Sequence, residues 1–144
     1  MKPDLPNRAK HLPAAERFAP GTYLGGIMRY VDGFLLPVPK DNLQAYRRLA
    51  RKAGKIWREH GALEYRECVG DDLDVQGMVP FPRRIKLKPG ETVVFSWIVY
   101  KSRKDRDRVN AKVMSDPRLQ FDPKAMPFDV KRMVYGGFNV LVDL

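Results

Sequence analysis

An α+β sandwich, one antiparallel sheet with two helices on one of its faces, is the fold class this sequence predicts. Three observations predict it. Strand and helix patterns alternate in the order strand, helix, strand, strand, helix, strand. The third strand, Thr92 to Tyr100 (TVVFSWIVY), is apolar on both parities, with only Ser96 interrupting it. The last strand, with its MVYGGFNVLV run, is apolar on both parities too. Successive residues of a strand face opposite sides of the sheet. Both faces of these strands therefore need cover.

Residues 1–27 stand apart from the rest. They hold Pro3, Pro6, Pro13 and Pro20 with Gly21, Gly25 and Gly26, and show no sustained period. They read as a disordered extension, an added leader, or a start placed upstream of a native one at Met28. From residue 28 to 144 the chain reads as one domain. Arg29 to Leu36 is the first strand, ended by Pro37 and Pro39. Asp41 then suits an N-cap, and Leu43, Tyr46, Ala50, Ala53 and Trp57 recur at helical spacing, widened by Leu49 and Ile56. Gly61 ends that helix. Ala62 to Val69 is the second strand, and a turn-rich connection runs from Gly70 to Gly90. After the third strand, Ser102 with Asp105 opens the second helix, with Val109, Val113 and Met114 as its apolar strip and Pro117 as its limit. A proline-punctuated loop leads into the last strand, Arg132 to Val142.

This order is the split βαβ arrangement of ferredoxin-like folds (βαββαβ), whose crossovers share one hand and so place both helices on one face. The other face is left bare. A second copy of the sheet is the simplest cover, giving a homodimer of two face-to-face sheets, a dimeric α/β barrel.

The 144-residue chain has 44% hydrophobic and 31% charged residues, ordinary for a globular domain, and a net charge of +10. Cys68 is the only cysteine, which excludes an intrachain disulfide and fits a cytoplasmic protein. Cys68, His11 and His60 have no zinc-like spacing, so no metal and no cofactor is expected. No apolar run is long enough for a membrane span, and no secretory pattern precedes the domain. The segment from Asp72 to Gly77 imitates the start of a calcium loop, but its twelfth position is Arg83 where a bidentate Glu is required.

His60 could be an axial haem ligand or a base; a histidine in a last helical turn also simply suits the helix dipole. Arg47, Arg51, Lys55 and Arg58 fall on one helix face, with Arg103, Lys104, Arg106, Arg108 and Lys112 on the second helix. Such a surface could track phosphates, though no nucleic-acid recognition motif accompanies it. RNA association through these faces is the second reading. The first starts from Asp32, the one charge in an apolar strand. Val31 and Leu35 are the more apolar parity and are expected to face the helices, which turns Asp32 towards the partner sheet. Glu67, Trp97 and Tyr135 are expected on that same side, and the four are the candidate lining of a small-molecule cavity. Asp32 would act there as a base or orienting group, and Trp97 would stack on a planar ligand.

RYVDGF at Arg29 to Phe34, GALEYRECV at Gly61 to Val69, VVFSWIVYKS at Val93 to Ser102, DRVNAKVMSDPR at Asp107 to Arg118 and MPFDVKRMVYGGF at Met126 to Phe138 carry a resemblance to a known family. From Met28 onward the chain resembles the YbaA-like family of uncharacterised bacterial proteins. Val130 departs from it, standing where a glycine is expected. The resemblance implies the dimeric α/β-barrel superfamily, which includes cofactor-free monooxygenases and haem-degrading enzymes. A monooxygenase-like activity is therefore a further alternative, but a shared fold does not transfer a reaction.

Overall fold

The computed structural model describes residues 22–23 and 26–144. The reading of 1–27 as a tail falls on residues 1–21, 24 and 25 outside them. Ahead of the domain, β1 (Thr22–Tyr23) pairs antiparallel with β2 (Gly26–Ile27). The domain follows as β3 (Tyr30–Pro39), α1 (Leu43–His60), β4 (Glu64–Val69), α2 (Phe81–Arg84), β5 (Glu91–Tyr100), α3 (Arg103–Met114) and β6 (Val134–Asn139). The main sheet has the order β4-β5-β3-β6 and every pairing in it is antiparallel. That is the ferredoxin-like topology. The short α2 is the regular element within the long connection.

β3 runs three residues past the predicted end, through Pro37 and Pro39. The hydrogen bonds explain why. Lys40 N–H donates to the Gly90 carbonyl at 2.8 Å, so even-numbered residues of this strand aim their N–H groups at β5. Val140 N–H donates to the Arg29 carbonyl at 3.0 Å, which puts odd-numbered residues against β6. Pairing with β6 stops at Leu35–Val134. The N–H groups that Pro37 and Pro39 lack would thus have pointed where no strand receives them.

The extension decides which face of β3 meets the helices. It adds Val38, 0% exposed, to the parity of Tyr30, Asp32, Phe34 and Leu36, the last 2% exposed. That parity packs with Val94, Ile98 and Tyr100 of β5 against Tyr46, Ala50, Ala53 and Ile56 of α1 and Val109 and Val113 of α3. The expectation that Val31 and Leu35 face the helices is therefore wrong. Asp32 lies under the helices and not towards a partner sheet.

Small residues bring α1 close to the sheet. A Cβ on Gly54 would sit 2.6 Å from the Tyr65 ring, so the tyrosine lies directly on the helix. Asn42, not Asp41, occupies the N-cap position, and its side chain donates instead to the Pro127 carbonyl at 3.0 Å. Gly61 ends the helix at φ +121°, a backbone state that disfavours any side chain. Ser102 caps α3 by accepting the Asp105 N–H at 3.1 Å.

The second sheet face carries Phe95 and Trp97, their rings 5.5 Å apart, with Leu35, Val134 and Phe138 beside them. Phe95, Val134 and Phe138 are exposed. Gly33 and Gly136 form the floor on which the Phe138 ring rests.

Candidate functional site

The sheet register sets side chains in rows across the helix-facing side. Tyr65, Ile98, Asp32 and Gly137 form one row, and Glu67, Ser96, Phe34 and Tyr135 the next. Above these rows, between α1, α3 and the segment 119–133, is a cavity of about 390 Å³. Its lining is mostly apolar and aromatic, with Phe34, Leu36, Trp57, Ile98, Phe121 and Phe128 among its walls. Asp32, Glu67 and Tyr135 line it; Trp97 does not, since its parity in β5 places it on the opposite face. The stacking role expected of Trp97 falls with that placement, and Trp57 is the tryptophan in the wall.

Asp32, 1% exposed, is the centre of one polar group. Its Oδ1 accepts the Tyr135 hydroxyl at 3.1 Å and its Oδ2 accepts Asn110 Nδ2 at 3.3 Å. Arg106 Nη1 lies 3.7 Å from Oδ1 and donates to the Tyr135 hydroxyl at 2.8 Å. Its Nη2 donates to the Tyr30 hydroxyl at 3.1 Å, and its guanidinium carbon lies 4.9 Å from the centre of that ring. The Asn110 amide is oriented by its own partners: Oδ1 accepts the Tyr100 hydroxyl at 2.9 Å and Trp57 Nε1 at 3.0 Å, leaving the NH₂ for Asp32. Burial, then the Asp32 charge, pushes the Tyr100 and Tyr135 hydroxyls above the usual tyrosine range, so both stay protonated donors. Burial pulls the Arg106 guanidinium down, but Asp32, Tyr135 and Tyr30 more than offset it. Gly137 makes room for this group, because a Cβ there would lie 2.3 Å from the Tyr30 hydroxyl.

Glu67 is the centre of the other. Its Oε2 accepts the Tyr46 hydroxyl at 2.7 Å and its Oε1 the Tyr65 hydroxyl at 2.8 Å. Burial pushes its carboxyl above the usual glutamate range, partly held back by the hydroxyls of Tyr46, Tyr65 and Ser96. Two strands and two residues separate Glu67 from Asp32, about 12 Å at ordinary strand spacing and rise.

The segment that covers the cavity is fastened in three places. Near its start, Asp116 is held by Arg118 at 2.8 Å and by His60 Nε2 at 2.8 Å. Asn42 holds Pro127 in the middle. Near its end, Arg132 donates to Glu91 Oε2 at 2.6 Å and to the Lys86 carbonyl at 3.0 Å. Val130 opens a short 3-10 turn there and its side chain lines the cavity. His60 thus serves as a fastening outside the cavity lining, and no cluster of three metal-ligating side chains occurs among the described residues. The hydrogen bonds of Arg118 and then His60 hold the Asp116 carboxyl far below the usual aspartate range. A carboxyl lowered in this way stabilises the fold above its unfolded pKa, near 4, and loses that contribution as pH falls further. Urea unfolding of the wild type should therefore show stability dropping below about pH 4. Asp116→Asn should have a shallower drop, and an unchanged slope would contradict this assignment.

Arg106, Asn110, Tyr46, Tyr65, Tyr100 and Trp57 are site residues that sequence reasoning missed. In the sequence Arg106 reads as part of the solvated basic face, yet its side chain is 16% exposed and turned inward. Arg47, Arg51, Lys55 and Arg58 are exposed along α1.

Residues 29–130 match the family described as "Protein of unknown function (DUF1428)". The protein named "Uncharacterized protein YbaA" of Escherichia coli K12 is 47% identical over 116 residues, which cover 81% of this chain and 99% of that protein. Its Shigella flexneri counterpart matches equally. Among solved structures, a crystal structure described as a dimeric ferredoxin-like protein from an uncultured marine organism aligns with a TM-score of 0.51. It shares 10% identity and covers 81% of this chain and 99% of its own length, a likeness of fold. No described helix is long and apolar enough to cross a membrane. The family match and the 47% identity agree on one assignment: this chain belongs to the YbaA-like DUF1428 family of proteins of unknown function.

Proposed function

We propose that the protein is a cytoplasmic homodimer that binds a small organic molecule in the helix-side cavity of each subunit. The observation that carries the ligand reading is the buried Asp32, held by Tyr135, Asn110 and Arg106 beside an apolar cavity. Ligand sites combine an apolar lining with a few fixed polar groups, in volumes of about 300–1,000 Å³. Asp32, Asn110 and Tyr135 supply the polar anchor, Glu67 a second one, and residues of the segment 119–133 complete the wall. Dimerisation is supported by the apolar second face of the sheet, where Phe95, Val134 and Phe138 stand exposed beside Trp97. Patches of this kind mark interaction surfaces. The fold neighbour from the marine organism is described as dimeric. Sedimentation at micromolar concentration should return the mass of two chains.

The ligand reading is tested by melting the full chain against a panel of small aromatic and aliphatic acids, alcohols and amines. A ligand at a hundredfold excess over its Kd adds about 2.7 kcal/mol. At least one class should raise Tm by several degrees, and Asp32→Asn should reduce that rise. A panel in which no class shifts Tm would overturn the reading.

A further inference from the structure

The two carboxylates of the cavity are not equivalent. Asp32 faces a guanidinium, whereas Glu67 forms no ion pair within 4.0 Å among the described residues. Arg66, at the cavity rim, is exposed and donates to the Tyr65 carbonyl at 3.1 Å. Arg47 and Arg51 border a neighbouring hollow that Glu67 also touches, without pairing with it within that distance. The groups around Glu67 are neutral hydroxyls, the Tyr46 and Tyr65 phenols and Ser96. Around it stand aromatic rings, with Tyr46 edge-on to Phe128 at 5.6 Å and Tyr65 tilted against Trp57 at 6.2 Å.

We infer that the cavity ligand is an organic cation, a protonated amine on a flat apolar body, whose ammonium group is received by Glu67 and the surrounding aromatic rings. This rests on the reading of the cavity as a ligand site and adds the charge of what enters it. A buried carboxylate needs a counter-charge or neutralisation, and an ammonium group supplies the charge. The negative faces of Tyr and Trp rings attract cations and repel anions. Each Glu67 oxygen accepts one phenol and keeps lone-pair capacity for a further N–H. From that end the apolar body lies over Phe34 and Ile98 towards Asn110 and Asp32, the span of about 12 Å that strand geometry sets. Burial, the largest influence on the Glu67 carboxyl, pushes it upward. An arriving ammonium would favour the ionised form.

The test uses three probes of similar shape on the full chain, followed by calorimetry: 2-phenylethylammonium, 2-phenylethanol and 3-phenylpropanoate. At pH 7 the ammonium probe should bind at least tenfold tighter than the alcohol, and the carboxylate weakest. Glu67→Gln should abolish the preference, with the ammonium probe losing at least tenfold in affinity and the alcohol far less. If Glu67→Gln does not fold, the wild type decides: affinity for the ammonium probe should fall tenfold as pH is lowered through the Glu67 titration, while that for the alcohol stays constant. The groups facing Glu67 in that titration are Tyr46, Arg47 and Arg51 of α1, Tyr65 and Arg66 of β4 and Ser96 of β5. Equal binding of alcohol and ammonium, or full ammonium affinity in Glu67→Gln, would overturn the inference. Binding of the alcohol or carboxylate that weakens in Asp32→Asn, without ammonium preference, would leave the cavity as a ligand site and remove the cation. No binding by any probe, together with no Tm shift across the panel, would remove both.

Discussion

Arg106→Ala should cost about 3 kcal/mol of stability, the low end of what removing one member of a buried ion pair costs. For a chain of this length the loss lowers Tm by about 10 °C. Asp32 is 1% exposed and would keep only the Tyr135 and Asn110 hydrogen bonds for its charge. Adding Asp32→Asn to the Arg106→Ala chain should therefore restore part of the loss, because the stranded charge is gone. Additive losses in the double variant would mean that Arg106 stabilises through packing on Tyr30 alone. An exposed member of a basic helix face would lose far less on truncation, since surface charges contribute about 0–1 kcal/mol.

That contrast shows where the sequence could and could not be read. The alternation of strands and helices, the Gly61 stop and the Ser102 cap are local signals, and the structure places them as read. The faces are another matter. With Pro37 and Pro39 as the end of the first strand, Val38 drops out of the parity count and Asp32 is turned to the wrong side. Whether a proline ends a strand depends on the neighbour its missing N–H would have met, and that neighbour, β6, lies a hundred residues downstream in sequence. Arg106 was hidden for a related reason. Among five basic residues on one helix, the inward one is chosen by the crossing of α3 over Tyr30 and Asp32. Asn110 and Tyr100 gave no signal at all, because each is ordinary until Trp57 is brought between them. Asp32 did stand out, as the one charge in an otherwise apolar strand, whereas Glu67 shares its strand with Glu64 and Arg66 and was legible only as a candidate neighbour.

Trp97→Asp should leave the isolated subunit folded and break the proposed dimer. Trp97 belongs to the face away from the helices and packs on Phe95 at 5.5 Å. Central tryptophans of interfaces commonly contribute 2 kcal/mol or more. In a two-fold dimer both copies change at once. Two such losses amount to about 4 kcal/mol, roughly a thousandfold in the dissociation constant. Light scattering at micromolar concentration should then give the mass of one chain, with the circular dichroism of the wild type. A dimer of unchanged affinity would mean that this face is not the interface.

The most direct measurement is native mass spectrometry of the full chain, isolated without denaturation and sprayed from a neutral volatile buffer. The cavity between Asp32 and Glu67 predicts complexes carrying a small organic molecule, one per chain, retained by the wild type and lost or depleted in Asp32→Asn and Glu67→Gln. Added 2-phenylethylammonium should displace that molecule one for one. Bare chains under every condition, with no probe retained by the wild type, would contradict the account.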